Sequence, residues 1–161
     1  ESAPVSDKYA LNISDSEIEY NGRNGIFSQK RRVVLVNNEI QQNKSDGLEL
    51  AAGSSSWMDD NVVSKNNGSG MRLSLDGSNI YIASKNSIHL NSREGIEVDA
   101  FGGQGMIDIK KSRIVENGRY GIARVQRSNI SPSVWSGLVV EGNNTFFGNG
   151  LGDVSSLVRG F

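Results

Sequence analysis

The chain has 161 residues, 36% apolar and 22% charged, and its 17 Lys and Arg against 18 Asp and Glu leave a net charge of -1. One domain fits that length at about 150 residues per domain, and the near-neutral balance lacks the cationic footprint that a nucleic-acid backbone requires. No apolar run approaches the roughly 20 residues needed to cross a bilayer, and the absence of Cys removes disulfides, thiolate metal sites and a cysteine nucleophile.

The opening Glu1-Ser2-Ala3-Pro4 has neither the basic nor the apolar region of a secretory leader. Beyond it the chain carries 19 Gly, 17 Asn and 23 Ser but only 2 Pro. That composition, combined with short apolar clusters, predicts many short strands joined by tight turns.

From the N-terminus onward one pattern recurs. The first copy has Ser16, then Ile18, Asn21 and Gly25-Ile26; the second has Asn38, Ile40, Asn43 and Gly47-Leu48. Asn61, Val63, Asn66 and Gly70-Met71 form the third, and Asn86, Ile88, Asn91 and Gly95-Ile96 the fourth. The fifth is Ser112, Ile114, Asn117 and Gly121-Ile122, and a degraded sixth keeps Asn144, Phe146 and Asn149 with Asp153-Val154 in the last places. The Asn-to-Asn spacings are 22, 23, 25, 26 and 32. A constant core with growing insertions predicts a solenoid whose loops all emerge along one edge.

Helical repeats would show a 3.6-residue period, which no segment has. A leucine-rich repeat needs an apolar residue two after the Asn, where this chain has Arg23, Ser45, Gly68, Arg93 and Arg119. The Gly-Gly-x-Gly-x-Asp nonapeptide and the six-residue apolar period are absent too. What remains is an all-β, right-handed parallel β-helix of about six rungs. The repeat Asn/Ser-x-Ile-x-x-Asn-x-x-x-Gly-Ile-x-Val resembles that of the pectate-lyase-like superfamily. A single domain is expected over residues 1–161, with repeats over about 9–154 and 149–161 as a C-terminal cap or a junction to more chain.

In the second copy, strands are predicted at Val33–Val36, Glu39–Gln42 and Gly47–Leu50. Like positions then stack one strand spacing apart, about 4.8 Å. Ile18, Ile40, Val63, Ile88, Ile114 and Phe146 become one interior column, and Ile26, Leu48, Met71, Ile96 and Ile122 another. The Asn residues form an amide ladder at a bend, themselves taking the left-handed conformation. The Gly residues supply positive φ or a close approach.

Chemistry is expected on the insertions, since loops on a rigid scaffold commonly carry function. Trp57, Asp99, Phe101, Gln104, Arg124, Arg127 and Trp135 are the candidate carbohydrate-binding residues, with aromatic faces for sugar rings and polar groups for hydroxyls. The resemblance implies polysaccharide as the substrate class, and a Ca²⁺ site, if there is one, on Asp59, Asp60 and Asp76 with Asp99; no other cofactor is implied. The polygalacturonase-like Gly-His-Gly signature is missing, since the only His lies in Ile88-His89-Leu90, and so is the Asp-Pro-His-Glu signature of alginate-epimerase-like enzymes. His89 is expected to be exposed and without a partner. Arg23, Arg93 and Arg119, beside Asp46 and Glu94, read as a solvated mixed-charge turn or as a track for an anionic polysaccharide.

The functional expectation is a secreted or cell-surface module that interacts with a glycan and is not catalytic by itself. A lyase or epimerase fragment acting on uronate polymers, and a structural spacer or adhesin stalk, are the alternatives. Neither a nucleic-acid partner nor a membrane span is expected.

Overall fold

The computed structural model describes residues 10–100, 105–125, 137–140 and 142–155. The chain winds through three strands per coil. The first two coils contain β1 (Leu11–Ser14), β2 (Glu17–Glu19) and β3 (Ile26–Gln29), then β4 (Arg32–Val36), β5 (Glu39–Gln41) and β6 (Leu48–Ala51). The next two contain β7 (Ser55–Asp59), β8 (Val62–Ser64) and β9 (Met71–Leu75), then β10 (Ser78–Ser84), β11 (Ser87–His89) and β12 (Ile96–Ala100). The last two are β13 (Gly105–Ile109), β14 (Arg113–Val115) and β15 (Tyr120–Val125), then β16 (Leu138–Val140), β17 (Thr145–Phe147) and β18 (Gly152–Val154).

Each strand pairs in parallel with its counterpart one coil away, giving three six-stranded sheets. Sheet A is β1-β4-β7-β10-β13-β16, sheet B β2-β5-β8-β11-β14-β17 and sheet C β3-β6-β9-β12-β15-β18. Both expected interior columns are present in the pairing. In sheet B, Ile18 aligns with Ile40, Val63, Ile88, Ile114 and Phe146. In sheet C, Ile26 aligns with Leu48, Met71, Ile96, Ile122 and, one coil further, Val154. The side chains of the four inner coils are closed in on both sides and belong to one continuous core, whereas Ile13, Ile18, Phe146 and Val154 in the end coils are only partly buried.

Two bends are nearly constant from coil to coil, and each carries an Asn ladder. Between sheets A and B, Asn38 donates through its backbone N–H and Nδ2 to Asn61 Oδ1, and Asn61 donates in the same way to Asn86 Oδ1 of the next coil. Between B and C, Asn43 binds Asn66, Asn66 binds Asn91 and Asn91 binds Asn117 in the same two-pronged way, with amide-to-amide distances of 3.0 Å. The left-handed residue is the one before each Asn, contrary to expectation: Tyr20, Gln42, Lys65, Leu90 and Glu116 have φ between 54° and 56°. Turning the chain there leaves the Asn side chain aimed along the rod at the amide of the next coil.

The repeated Gly serves close approach, not positive φ. A Cβ on Gly47 would lie 2.7 Å from Asn66 Nδ2 and 2.7 Å from the Gly70 carbonyl oxygen. Only hydrogen fits between one coil and the ladder amide of the next. The variable connections run from sheet C to the following strand of sheet A: Lys30-Arg31 in the first coil, 52–54 in the second and 126–137 in the fifth. Most length variation therefore collects on one edge of the rod, with a register shift inside β10 between Ile82 and Ser84 as an exception.

Candidate functional site

The outer face of sheet C and the bend leading into it hold the densest polar chemistry among the described residues. Because strand side chains alternate, residues one beyond the interior column face outward. Phe27 aligns with Glu49, Glu49 with Arg72, Arg72 with Glu97 and Glu97 with Ala123. The bend adds Asp46, Ser69, Glu94, Arg93 and Arg119.

These residues form an alternating chain of charge along the rod. Arg72 lies 3.6 Å from Asp46 and 3.2 Å from Glu97; Arg93 lies 3.5 Å from Glu97 and 3.4 Å from Glu94; Arg119 lies 3.0 Å from Glu94. Ser69 adds a hydroxyl donor to Glu97 at 2.9 Å and a backbone N–H to Asp46 at 2.8 Å. Glu97 is 0% exposed, whereas the Arg93 and Arg119 side chains are 44% and 51% exposed. The bend is mixed in charge with exposed arginines, as the first of the two sequence readings has it, but its carboxylates Asp46 and Glu94 are not solvated. Its carboxylates are buried behind the guanidinium groups and fix their planes, while the outer N–H edges face solvent and suit a ligand carboxylate.

At the N-terminal end of this face, Arg23, Asn24, Phe27 and Glu49 line an open cleft of about 330 Å³. Phe27 is 57% exposed on its floor. Asn24 donates to Glu49 Oε2 at 2.6 Å and accepts the Asp46 N–H at 3.2 Å, which holds the cleft's polar wall in place. A flat apolar ring beside a cation, an amide and a carboxylate can stack on a pyranose and bind its substituents.

Asp99 occupies the outer face of β12, aligned with Ser74 of β9. Burial pushes its carboxyl up to about 6; the Arg72 charge opposes that rise, and Glu97 and Asp76 add to it. Burial also raises Asp46, against the Ser69 N–H and the Arg72 charge. A carboxyl that holds its proton more tightly when folded contributes most to stability below the unfolded value near pH 4, and that contribution is lost as pH rises through about 6. The Asp99→Asn variant should therefore gain on the wild type across that window and be more stable above it, by on the order of 1 kcal/mol once screening is allowed for. Thermal melts of both proteins from acid to neutral pH measure this; parallel curves would contradict it.

The other sequence-derived candidates are dispersed. Trp57 and Asp59 are not on an insertion but on the outer face of β7, because β4 and β7 pair from Arg32–Ser55 to Val36–Asp59. Trp57 packs on Tyr81 of the next coil, ring centroids 5.9 Å apart and planes tilted by 40°. Asp59 accepts a hydrogen bond from the Ser84 hydroxyl. Asp60 is the left-handed residue of the following bend, with φ 56°. Asp76 caps the connection from sheet C to sheet A, accepting from the Gly53 N–H and the Ser78 hydroxyl at 2.8 Å each. The structure brings Asp76 near Asp99 and leaves Asp59 and Asp60 elsewhere, and among the described residues no three His, Asp or Glu are grouped to hold a metal ion. Arg124 belongs to β15, not to a loop, in register with the buried Val98. Phe101, Gln104, Arg127 and Trp135 lie outside the described residues, as do 156–161 of the expected C-terminal cap.

His89 is half-buried, and its Nδ1 lies 3.1 Å from the Ser87 hydroxyl, so it is neither fully exposed nor partnerless. Burial lowers its pKa, and the Arg113 and Lys65 charges add to that against Ser87 and Glu116. Phe27, Glu49, Arg72, Glu97 and Tyr81 did not emerge from the sequence. The signal for four of them was present: the position two after each repeat Gly reads Phe27, Glu49, Arg72, Glu97, Ala123.

A family model described as a right handed beta helix region matches residues 3–145. No curated protein sequence matches the chain. Among solved structures, the periplasmic alginate epimerase AlgG is similar, with a TM-score of 0.63 over 89% of this chain at 16% identity. The chain spans 38% of that enzyme's length, and at this identity the likeness concerns the fold alone. No helix among the described residues is long and apolar enough to cross a membrane.

Proposed function

This chain belongs to the right-handed β-helix family, and on that premise we propose that it is an extracytoplasmic carbohydrate-interacting module, not catalytic by itself, that holds an acidic polysaccharide along sheet C. The observation that carries the reading is the cleft of Arg23, Asn24, Phe27 and Glu49, on the same side of the rod as the partly exposed guanidinium groups of Arg93 and Arg119 further along. The likeness to a periplasmic alginate epimerase supports polysaccharide as the ligand class and a location outside the cytoplasm.

Affinity electrophoresis against alginate, polygalacturonate and a neutral glucan tests it. Retardation by a uronate polymer is expected, weakened about 5- to 10-fold by Phe27→Ala through lost stacking and by Arg23→Ala through a lost charge-assisted contact. Retention of the neutral glucan alone would remove the acidic-ligand reading, and migration unchanged by all three would remove the carbohydrate reading.

Asp99 favours a second reading, catalysis on a uronate polymer. A carboxyl held near 6 beside Arg72 is tuned as a proton acceptor close to neutral pH. In that case Asp99→Asn would abolish turnover of the polymer while leaving retardation intact.

A further inference from the structure

The outer face of sheet B carries charge that changes sign along the rod. Its register is fixed by the pairing Glu17–Glu39–Val62–Ser87–Arg113. Two residues earlier in each coil stands the left-handed bend residue, giving a second column of Asp15, Asn37, Asp60, Lys85 and Lys111. The first two coils thus present Asp15, Glu17 and Glu39, and the fourth and fifth present Lys85, Lys111 and Arg113, all exposed. Unlike Arg72, Arg93 and Arg119 on sheet C, these three cations have no carboxylate partner among the described residues. A surface that needed only solubility would intersperse the two signs; here these two columns sort them by coil, while the bend after the strands adds Lys65 in the third coil and Glu116 in the fifth.

We infer that sheet B is the contact face of an antiparallel two-fold dimer of this chain, acid end against basic end. A two-fold axis lying along the strands at the third coil sets coil one against coil five and coil two against coil four. Asp15 then faces the partner's Lys111, and Glu17 faces the partner's Arg113. Asn37 and Glu39 face the partner's Lys85 and Ser87, and Val62 meets its own copy at the axis. Asp60 also meets its copy there, with Lys85 of both chains one coil away to compensate. The alternative axis, along the rod, would oppose every coil to itself and place Glu17 on Glu17 and Arg113 on Arg113, so charge selects one arrangement. His89 faces Gln41 and stays clear of both charged ends.

The footprint is small. The five coils that face one another, at about 4.8 Å each and five residues wide at about 3.3 Å, give roughly 400 Å², well under the ~800 Å² per partner of a standard stable interface. The dimer is accordingly weak, concentration-dependent and salt-sensitive. It leaves sheet C open and does not depend on the carbohydrate reading.

Sedimentation velocity on the 161-residue chain, run at rising protein concentration and at about 20 mM and about 500 mM salt, tests the arrangement. Dimer is expected at low salt and its loss at high salt. Glu17→Arg and Arg113→Glu should each weaken association about 10-fold or more, since the repulsion acts twice in a symmetric pair, and the double variant should recover to within about 3-fold. Should either single change unfold the chain by circular dichroism, Asp15→Lys and Lys111→Glu form the same cycle one column over. A monomer at every concentration in low salt, or a dimer that the double reversal fails to restore, would overturn the inference.

Discussion

The Asn66→Ala variant should be among the most destabilised single variants of this protein, with its melting temperature lowered by about 10 °C. Asn66 is fully buried. Its Oδ1 accepts from both the backbone N–H and Nδ2 of Asn43, and its Nδ2 donates to Asn91 Oδ1 and to the Ile40 carbonyl. Alanine removes all four bonds. The buried Asn43 N–H loses its acceptor, while Asn43 Nδ2 keeps the Ile18 carbonyl and Asn91 Oδ1 keeps the backbone N–H of residue 66. The loss costs about 3–5 kcal/mol at roughly 1 kcal/mol for each bond. For a chain of this size that is about 2–4 °C per kcal/mol. The first rung supplies the comparison. Asn21 donates to Asn43 but accepts nothing from an earlier rung among the described residues. The Asn21→Ala variant should therefore lose about 1 kcal/mol. Equal losses at the two positions in calorimetric melts would show that the ladder is not cooperative in the way the geometry requires.

The second large effect is Gly70→Ala. The added methyl would lie 2.6 Å from Ile88 Cγ2, 2.7 Å from Asn91 Nδ2 and 2.7 Å from the Gly95 carbonyl oxygen. None of these neighbours can yield: one is core, one is a ladder amide and one is backbone of the next coil. A destabilisation of about 3 kcal/mol is expected, at the upper end for overpacking, because the coil spacing itself would have to open. Gly22→Ala, where a methyl meets nothing within 4 Å, should stay within about 0.5 kcal/mol of the wild type. Chemical denaturation of the two variants measures the difference, and a Gly70→Ala protein as stable as Gly22→Ala would mean that the coils are not packed as tightly as described.

Both effects come from the same device, in which each coil is finished by the next. That device was legible in the sequence because stacking in register converts a recurrence of 22 to 32 residues into columns of identical chemistry. Ile40 above Val63 above Ile88 could be read from spacing, and so could the amide ladder, whereas the Gly column could be read only as positive φ or close approach, and the contacts of Gly47 and Gly70 decided for the second. The bend was read one residue out. The Asn was assigned the left-handed conformation that Gln42, Lys65 and Leu90 in fact adopt, and no composition marks those positions, since any of these residues tolerates it when the flanking coils fix the turn.

The candidate site was less legible, for a different physical reason. Whether an outward side chain is exposed depends on what stands above and below it. Glu97 looks like an ordinary strand-surface residue in sequence, yet it is buried between Arg72 of the preceding coil and Arg93 of its own. Trp57 was assigned to an insertion because the C-to-A connection was taken as long; pairing with β4 extends β7 and puts the ring on a sheet face against Tyr81.

By itself, then, the sequence determined the solenoid, its interior columns, its ladder and the edge from which its insertions leave, because these follow from one-dimensional periodicity and the fixed spacing of parallel strands. Only the tertiary structure decided that Asp46, Arg72, Glu97, Arg93, Glu94 and Arg119 join into one chain of charge, and that sheet B sorts its charges by coil. The links that join the chain of charge from coil to coil (Asp46 to Arg72, Arg72 to Glu97 and Glu94 to Arg119) run across residues separated by 20 or more positions, where side-chain reach and burial act and sequence spacing carries no sign of them.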